Sequence, residues 1–445
     1  MRSVPIGVCA ALLAVGAPSA GAAVLPALPG IERETTTPAC PAGIPLLPGT
    51  ICPPVEQIPP DEAEEDASEH PAPPGRPVTG TPAPYSSHAM LYACCTPGAQ
   101  MERGFAAARA SGAGYVRLDV NLRGIFRVRK GKPRRPDWDG LDRVADLGRR
   151  HRLRVVAVLT HVPDHITRCT ANGAASCPAG DAEAYGRYAG LIAERLKGVA
   201  THFEIVNEPD GRWAFKGSPQ EYARMLEAAY RHIKTRDRKA RVLLGGLMYP
   251  DRTWISAMLA TPGATAIQKF DIANVHVRGP LTQVRSVVRR WRSFFAQRGF
   301  KGPLWVTEHG YPASSRFQYD RAFRGGERAQ AAFLGRSLPA IRAAGARQVF
   351  VTLRDSWPTE FLGEYASEDV ISLAQSPPFA VRRKASFQTV RDLNARWRRL
   401  VQRLKTLRRR HLKAAARHRR AGRRAQARRH QRLARRYARR LKAIA

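Results

Sequence analysis

Short apolar runs alternate with longer amphipathic stretches from about residue 87 to residue 398. The runs are rich in Val, Ile, Leu and Ala, which is typical of buried strands, whereas the stretches between them repeat apolar residues with the period of a helix. The predicted strands are 89–94, 114–120, 154–159, 202–206, 241–247, 272–277, 304–307 and 348–353. The predicted helices include 101–111, 141–151, 182–196, 219–235, 281–298 and 326–344.

This alternation predicts an α/β fold with a parallel sheet. An open doubly wound sheet alternates in the same way, but eight strand–helix units over about 310 residues fit a closed (β/α)8 TIM barrel better. We therefore predict a barrel domain at residues 86–400. The C-terminal ends of the strands meet on one face of such a barrel, and catalytic residues lie on that face.

The first 22 residues have the pattern of an export signal. Arg2 precedes an apolar core at residues 6–17, and Ala20-Gly21-Ala22 is a cleavage site of the A-x-A type. About 12 apolar residues are too few to cross a bilayer of roughly 30 Å. An apolar first helix of the domain is the alternative, but the Pro-rich segment that follows offers it nothing to pack on. We predict a secreted or cell-wall associated protein, cleaved near Ala22.

Residues 23–85 are rich in Pro, Ala, Thr and Gly and have no sustained hydrophobic period. This composition predicts a semi-extended linker. An acidic run, Asp61-Glu62-Ala63-Glu64-Glu65-Asp66, interrupts it. Two interpretations of the run are open, a solvated charge cluster and a segment that lies against the basic C-terminal tail.

The formal net charge is +38, and residues 401–445 carry 19 Lys and Arg with no Asp or Glu. Such a tail attracts polyanions, so an anionic cell-wall polymer or a membrane surface is its expected partner. We expect it to be helical when bound or neutralised and disordered in low salt, with a break at Gly422. Tyr437 is its only aromatic residue, which gives no support for sequence-specific nucleic-acid binding.

Loss of Cys9 with the signal leaves six cysteines, an even number that suits an oxidising compartment. They are Cys40, Cys52, Cys94, Cys95, Cys169 and Cys177. The last two lie in one polar loop and are predicted to bond. Cys94 and Cys95 are adjacent, too close for an ordinary disulfide with each other. Either they pair with the first two and staple the linker to the first strand, or the first two pair and leave two thiols. The spacing of a zinc site does not occur.

Polar residues stand at the predicted strand ends, where a barrel enzyme places its active site. Two of them are glutamates that end apolar runs, Glu208 after the fourth strand and Glu308 after the seventh. Two carboxylates that face each other suggest glycoside hydrolysis. The polar residues at strand ends are Arg117, Asp119, Asn121, His161, Asn207, Glu208, His276, Glu308 and Trp357.

Asn207-Glu208-Pro209 after the fourth strand and Thr307-Glu308 after the seventh resemble the retaining glycoside hydrolases of clan A, in particular families 5 and 39. The resemblance covers the barrel but neither the linker nor the tail. It implies that Glu208 is the general acid/base and Glu308 the nucleophile of a double displacement at a β-glycosidic bond. It also implies that the enzyme needs no metal and no organic cofactor.

The same resemblance implies a set of substrate contacts. Asn207 matches the asparagine that hydrogen-bonds the sugar 2-hydroxyl, with a strand-end cap as the alternative. Trp357 matches the aromatic platform beneath the bound sugar, with a core tryptophan as the alternative. His161 and His276 match polar positions after the third and sixth strands, and a structural role for each histidine is equally open.

Strand phase adds a prediction about the barrel interior. Glu204 lies four residues before Glu208 in the same strand phase, so its side chain points into the barrel and needs a buried partner. Arg117, on the second strand, is the expected partner. We also expect Arg117 or His276 to keep Glu308 ionised and to contact substrate.

The chain departs from family 5 at the sixth strand. Members of that family often carry His-x-Tyr there, with the tyrosine against the nucleophile, whereas this chain has His276-Val277-Arg278. Tyr249 and Tyr311 are the candidates to replace that tyrosine, and Arg278 is a candidate to bind an acidic sugar. Tyr311 is therefore predicted to be a substrate-binding residue.

Two functions remain open from the sequence. The first is a secreted retaining glycoside hydrolase. The second is a non-catalytic carbohydrate-binding or wall-associated barrel protein, retained through its basic tail. The sugar, the linkage, endo or exo action and the acceptor depend on loop contacts that spacing does not reveal.

Overall fold

Parallel strands and helices alternate along the chain, as the hydrophobic pattern predicts. The computed structural model describes residues 56–94, 96–128, 134–167, 169, 176–249, 251–263, 266–353, 367–373 and 380–444. The strands are β1 (Tyr85–Tyr92), β2 (Tyr115–Asn121), β3 (Arg154–Thr160), β4 (Ala200–Ile205), β5 (Arg241–Leu243), β6 (Ala273–His276), β7 (Leu304–His309), β8 (Ala346–Thr352), β9 (Ile371–Leu373) and β10 (Val381–Arg383). The helices are α1 (Pro60–Glu69), α2 (Gly98–Ala110), α3 (Leu122–Ile125), α4 (Trp138–His151), α5 (Ala182–Arg195), α6 (Pro219–Arg236), α7 (Thr253–Leu259), α8 (Leu281–Gln297), α9 (Gly326–Ala344), α10 (Ala385–Arg420) and α11 (Arg424–Ile444).

The first eight strands form one parallel sheet that closes on itself. Its order is β5-β4-β3-β2-β1-β8-β7-β6. The parallel bridges Leu243–Ile272 and Leu247–Val275 join the segments that carry β5 and β6, the two ends of that order. The predicted (β/α)8 TIM barrel is therefore confirmed. Closure matters for the site because it brings the ends of distant strands onto one face.

Local sequence signals place the helices close to where the pattern predicts them. Helix α6 begins with a capping box, in which the Ser218 side chain accepts from the Glu221 backbone and the Glu221 side chain accepts from the Ser218 backbone. Pro219 occupies the first helical position, where its missing N–H costs nothing. Asp181 caps α5 in a similar way by accepting the amides of Glu183 and Ala184.

The N-terminal half of the barrel interior is an apolar plug. Its members come from the strands or their immediate starts and are Tyr115, Val156, Leu243, Ile272, Trp305 and Phe350. The ring of Trp305 lies 5.3 Å from that of Tyr115 and 5.8 Å from that of Phe350. This layer fills the barrel and leaves the polar side chains to the layer above it.

The acidic segment before the barrel differs from the prediction of a linker. Residues 60–69 form helix α1, and Ala63 on this helix is fully buried. The acidic residues pair with arginines of the barrel domain rather than with the tail: Glu64 lies 3.1 Å from Arg187 and Glu62 lies 2.9 Å from Arg134. Composition alone predicted an extended chain because it did not reveal these partners.

The basic tail forms a helical hairpin of α10 and α11, with Gly422 (φ 70°) in the turn between them. Helix α10 crosses residue 400, so the predicted end of the barrel domain falls inside a helix. The side chain of Asn394 bonds to the backbone of Tyr85, at the start of β1. Arg347, at the start of β8, donates to the carbonyls of Lys442 and Ala443. The hairpin is thus attached at the N-terminal ends of the strands.

The predicted disulfide between Cys169 and Cys177 is present, with a Cα–Cα distance of 5.8 Å. Cys94 is also disulfide-bonded. The cysteines predicted to pair with the first strand, Cys40 and Cys52, lie outside the described residues, as do Cys95, the export signal and residues 23–55. Among the described residues no helix has the length and apolar character needed to cross a membrane.

Candidate active site

The two predicted catalytic glutamates face each other at the C-terminal end of the barrel. Glu208 follows β4 and Glu308 lies in β7, and their relative exposures are 3% and 7%. One carboxylate oxygen of each and a ring nitrogen of His276 all lie within 4.8 Å of one another. This spacing agrees with the separation of about 5 to 5.5 Å in retaining glycosidases rather than the 6.5 to 9.5 Å or so of inverting ones.

The backbone at the end of β4 is strained in a way that serves the site. Val206 (φ 60°) and Glu208 (φ 45°) both occupy the left-handed region, which is unfavourable for these residues. In a regular strand, consecutive side chains point to opposite faces. Here Asn207 and Glu208 both reach the site, since Asn207 bonds to Arg117 and Glu208 to His276. This unfavourable backbone conformation allows two consecutive side chains to reach the same site.

Arg117 is the centre of the charged network below the glutamates. Its Nε and Nη2 atoms donate to the two oxygens of Glu204 at 2.8 and 2.9 Å, so the predicted buried pair is present as a bidentate ion pair. Its Nη1 atom donates to Glu308 at 3.0 Å, and Nη2 also donates to Asn207 at 2.7 Å. Burial opposes the charge of Arg117, but Glu204 and Glu308 raise its pKa above the ordinary value.

Glu308 is held in its ionised form. Burial opposes ionisation, but His276 and the guanidinium groups of Arg117 and Arg278 outweigh it and keep the pKa of Glu308 well below its usual range. The arginine nitrogens lie at 3.0 and 3.2 Å from its two oxygens. An ionised carboxylate with this geometry is suited to nucleophilic attack.

His88 of β1 contacts Glu308 and was not predicted from the sequence. Arg117 donates to its Nε2 atom at 2.9 Å, so a neutral ring carries its proton on Nδ1. That nitrogen faces Oε1 of Glu308 at 3.5 Å. Burial, together with the charge of Arg117, lowers the pKa of His88 to about 3, which keeps the ring neutral.

Glu208 belongs to a separate hydrogen-bond chain. Its Oε1 lies 2.5 Å from Nδ1 of His276, and Nε2 of His276 lies 3.1 Å from the hydroxyl of Thr307. That hydroxyl donates its one proton to Oδ1 of Asn274 at 3.0 Å, so it accepts from Nε2 of His276. The ring of His276 therefore fixes the position of the Glu208 carboxyl group.

Arg278 occupies the place where family 5 often has a tyrosine against the nucleophile. Its Nη2 atom donates to Glu308 at 3.2 Å and to Glu368 at 3.0 Å. Glu368 is fully buried behind it, and a side chain at Gly310 would collide with the Glu368 carboxylate. The glycine therefore allows the supporting acid to approach. Arg278 contacts Glu308, and the prediction that it binds an acidic sugar stays untested.

Asp119 is a third carboxyl group close to Glu308. It lies two residues after Arg117 on β2 and has the same strand phase. Burial, with the negative charges of Glu308 and Glu204, raises the pKa of Asp119 to about 7 in spite of Arg117. The group therefore changes its charge close to neutral pH.

Glu208, His276 and Glu308 also have the spacing of a metal site, the one such group among the described residues. The charge of the site is already balanced, however, because two arginines contact Glu308. A divalent cation would meet strong repulsion from these guanidinium groups. The donor set therefore suits sugar chemistry better than metal binding.

The remaining predicted site residues have different outcomes. Asn207 accepts from Arg117 through Oδ1, which leaves its amino group as a donor toward a sugar hydroxyl. His161 lies after β3 with a strained backbone (φ 56°), and burial lowers its pKa to about 4. Its contact with substrate remains a prediction. Trp357 lies outside the described residues.

The prediction that Tyr311 binds substrate is wrong. Its side chain is fully buried and stacks on Phe333 at a centroid distance of 4.1 Å. Its hydroxyl donates to the carbonyl oxygen of Phe323 at 2.7 Å, away from the cleft. The chain turns after β7, so the strand phase that places Glu308 no longer applies three residues later.

Comparisons with known proteins agree with the fold. The sequence matches no protein-family model and no curated protein. Solved structures do match. An exo-β-1,4-mannosidase from Opitutaceae bacterium strain TAV5 aligns over 70% of this chain and 59% of its own, with 17% identity and a TM-score of 0.51. The aligned region thus spans less than two thirds of that enzyme.

A family 39 enzyme from Xanthomonas axonopodis pv. citri aligns over 74% of this chain and 71% of its own, with 16% identity and a TM-score of 0.50. An endo-β-1,6-glucanase aligns over 73% and 78%, with 12% identity and a TM-score of 0.50. The chain therefore shares the barrel fold of clan A glycoside hydrolases. At these sequence identities the likeness supports the fold alone, and the chemistry is inferred from the residues of the site.

Proposed function

We propose that this protein is a secreted retaining glycoside hydrolase that cleaves β-glycosidic bonds of an oligo- or polysaccharide. One observation carries the proposal: two buried carboxyl groups face each other across a gap of retaining size and have different partners. Arg117 and Arg278 contact Glu308, which is held ionised, whereas Glu208 is hydrogen-bonded to His276. The first step of a double displacement needs an ionised nucleophile and a protonated acid, and we assign these roles to Glu308 and Glu208.

In the first step the carboxylate of Glu308 attacks the anomeric carbon while the bond to the leaving oxygen breaks. Glu208 donates its proton to that oxygen, so a neutral alcohol leaves. Arg117 and Arg278 orient Glu308 through its two oxygens. The amino group of Asn207 is placed to bond the sugar 2-hydroxyl as positive charge develops on the ring.

In the second step water attacks the anomeric carbon of the glycosyl–Glu308 ester. Glu208, now ionised, takes a proton from this water, and the ester bond to Glu308 breaks. His276 keeps the carboxyl group of Glu208 in position through its Nδ1 atom. The configuration at the anomeric carbon is retained after two inversions.

The solved structures support the substrate class. The names of two of them specify β-linked substrates, a β-1,4-mannoside and a β-1,6-glucan. The export signal and the Cys169–Cys177 disulfide support secretion. The identity of the sugar depends on loop contacts, which these comparisons do not address, and they do not cover the N-terminal linker.

The basic hairpin supports a second part of the proposal, retention on an anionic cell-wall polymer. It is attached at the N-terminal ends of the strands, so its charges lie on the opposite side from the catalytic glutamates. Replacement of four exposed arginines by glutamine should lower the salt concentration that releases the protein from purified cell walls. These are Arg435, Arg436, Arg439 and Arg440. An unchanged release profile would remove the retention role.

The test of catalysis uses activated aryl β-glycosides and β-glucans with the mature protein. Glu308→Gln and Glu208→Gln should both lose activity, and azide should restore turnover of an activated substrate by Glu208→Gln, because a small anion replaces the missing base. Glu327→Gln is the matched control, since Glu327 pairs with Arg382 away from the site. This control should keep full activity.

No turnover by the wild-type protein, together with intact binding to sugars or cell walls, would refute the proposal. The non-catalytic wall-associated barrel would then be the better function. The network around Glu308 argues against that outcome, because a protein that only binds has no need to keep two buried glutamates so close together.

A further inference from the structure

Two exposed aromatic side chains lie on the loops beside the general acid. Among the described residues, the large hydrophobic side chains with high exposure are Trp213 (54%), Tyr249 (45%), Leu400 and Leu412. The two leucines lie on α10, where single exposed apolar residues are ordinary. Trp213 and Tyr249 lie on the loops that follow β4 and β5, which are neighbouring strands.

Asp210 joins these two loops directly after the general acid. Its carboxylate accepts the backbone N–H of Met248 at 3.0 and 3.1 Å and that of Tyr249 at 2.9 Å. Burial, with the negative charge of Asp210, raises the pKa of the Tyr249 hydroxyl. The hydrogen bonds to Asp210 hold the Tyr249 loop beside the segment that carries Glu208.

The Trp213 loop is also held in place. Ser176 donates its N–H to the carbonyl of Ala214 at 2.7 Å and accepts from the N–H of Lys216 at 3.0 Å. Ser176 is next to Cys177, whose disulfide to Cys169 closes the β3 loop. The loops after β3, β4 and β5 thus form one hydrogen-bonded wall. An aromatic residue on a fixed wall loses little entropy when a ligand stacks on it.

We propose that Trp213 and Tyr249 form the subsite for the leaving group, and that this group is a pyranosyl residue of a β-linked oligo- or polysaccharide. This inference rests on the proposed hydrolase function. A general acid protonates the leaving oxygen, so the leaving group lies on the side of Glu208. The apolar C–H face of a pyranose stacks on an aromatic ring, and the indole N–H and phenol O–H bond its hydroxyls. A small alkyl leaving group would use neither.

The test compares a substrate that fills this subsite with one that leaves it empty. A β-glycosyl fluoride needs no sugar in the leaving-group position, whereas a β-linked trisaccharide of the same sugar does. The sugar is chosen by turnover of β-glucosyl, β-mannosyl, β-galactosyl and β-xylosyl fluorides. The trisaccharides carry β-1,3, β-1,4 or β-1,6 links.

Trp213→Ala and Tyr249→Ala should each lower kcat/KM for the trisaccharide about tenfold and change that for the fluoride by less than about twofold. Leu412→Ala removes a side chain of similar exposure on the hairpin, and it should change neither value. Both aromatic side chains are exposed, so their variants should melt close to the wild-type temperature.

Equal losses on both substrates, or no loss on the trisaccharide, would overturn the subsite. Turnover of a fluoride without cleavage of any of the trisaccharides would also overturn it. Failure of the wild-type protein on every fluoride is a different result, because it refutes the hydrolase function on which the subsite rests.

Discussion

The two layers of the barrel interior use the same strands for opposite purposes. Strand β2 carries Tyr115 in the lower layer and Arg117 in the upper one, two residues apart and in the same phase. Strand β8 contributes Phe350 to the lower layer, and the neighbouring strand β7 contributes Trp305 there and Glu308 to the upper layer. The lower layer is apolar, whereas the upper layer is a network of buried charges.

This difference shows how one scaffold separates stability from chemistry. Apolar burial is non-directional, so the lower layer contributes stability without requiring particular geometry. Buried charges need directional partners, and burial of an ion pair contributes little net stability while loss of one partner is costly. The upper layer therefore holds reactive groups, and the lower layer supports it.

The largest expected effect is on catalysis from the upper layer. Glu308→Gln should lower kcat/KM about ten-thousandfold, because an amide does not attack the anomeric carbon. The thermal midpoint should change little, since the amide keeps the shape of the carboxylate. Steady-state kinetics and calorimetry on the same preparation measure both. A residual activity near that of the wild type would assign the nucleophile elsewhere.

The next effect tests the cost of an unpaired charge in the upper layer. Arg117→Met leaves Glu204, which is fully buried, without its bidentate partner. We expect the free energy of unfolding in urea to fall by about 3 to 5 kcal/mol. Arg117→Met combined with Glu204→Leu should recover part of the loss. If the double variant is no more stable than the single one, the unpaired charge is not the cause.

A lower-layer variant should separate stability from chemistry. Phe350→Ala opens a cavity in the plug, and we expect a loss of about 3 kcal/mol in the free energy of unfolding. The ring contacts Tyr115 and Trp305, not the catalytic glutamates. The kcat of the folded fraction should therefore be unchanged. The control Phe350→Leu should lose about 1 kcal/mol. A large drop in kcat would show that the two layers are coupled.

The smallest effect is a pH dependence of stability from Asp119. Its pKa is about 7 in the folded protein and 3.8 as an ordinary value, so the folded state binds more protons between these two pH values. Stability should therefore fall as the pH rises through this window. Asp119→Asn removes that fall and should gain about 1 to 2 kcal/mol at pH 8, and nothing at pH 4. Parallel pH–stability curves for the two proteins would contradict the shift.

Most strands of the barrel could be predicted from the sequence because they are continuous apolar runs buried on both faces. Strand β3, for example, is found within one residue of its prediction. Strand β1 is an exception, since it begins with Tyr85-Ser86-Ser87-His88, four residues before the predicted start. His88 is buried because it bonds to Arg117 of the neighbouring strand, and no local pattern reveals that contact.

The site was partly predictable for the same reason. Glu208, Glu308 and the Glu204–Arg117 pair follow from strand phase and from short motifs, which are local properties. His88 and Glu368 do not, because each contacts the site from a distant part of the chain. Tyr311 was predicted from its closeness to Glu308 in the sequence, and that closeness does not decide that its side chain packs against Phe333.

The sequence by itself determined the alternation of strands and helices and the two glutamates at the strand ends, because hydrophobic period and residue type act over a few residues. Only the tertiary structure decided which groups surround each glutamate, and so that Glu308 is held in its ionised form. Electrostatic interactions and burial depend on distances in space between residues that are far apart in the chain.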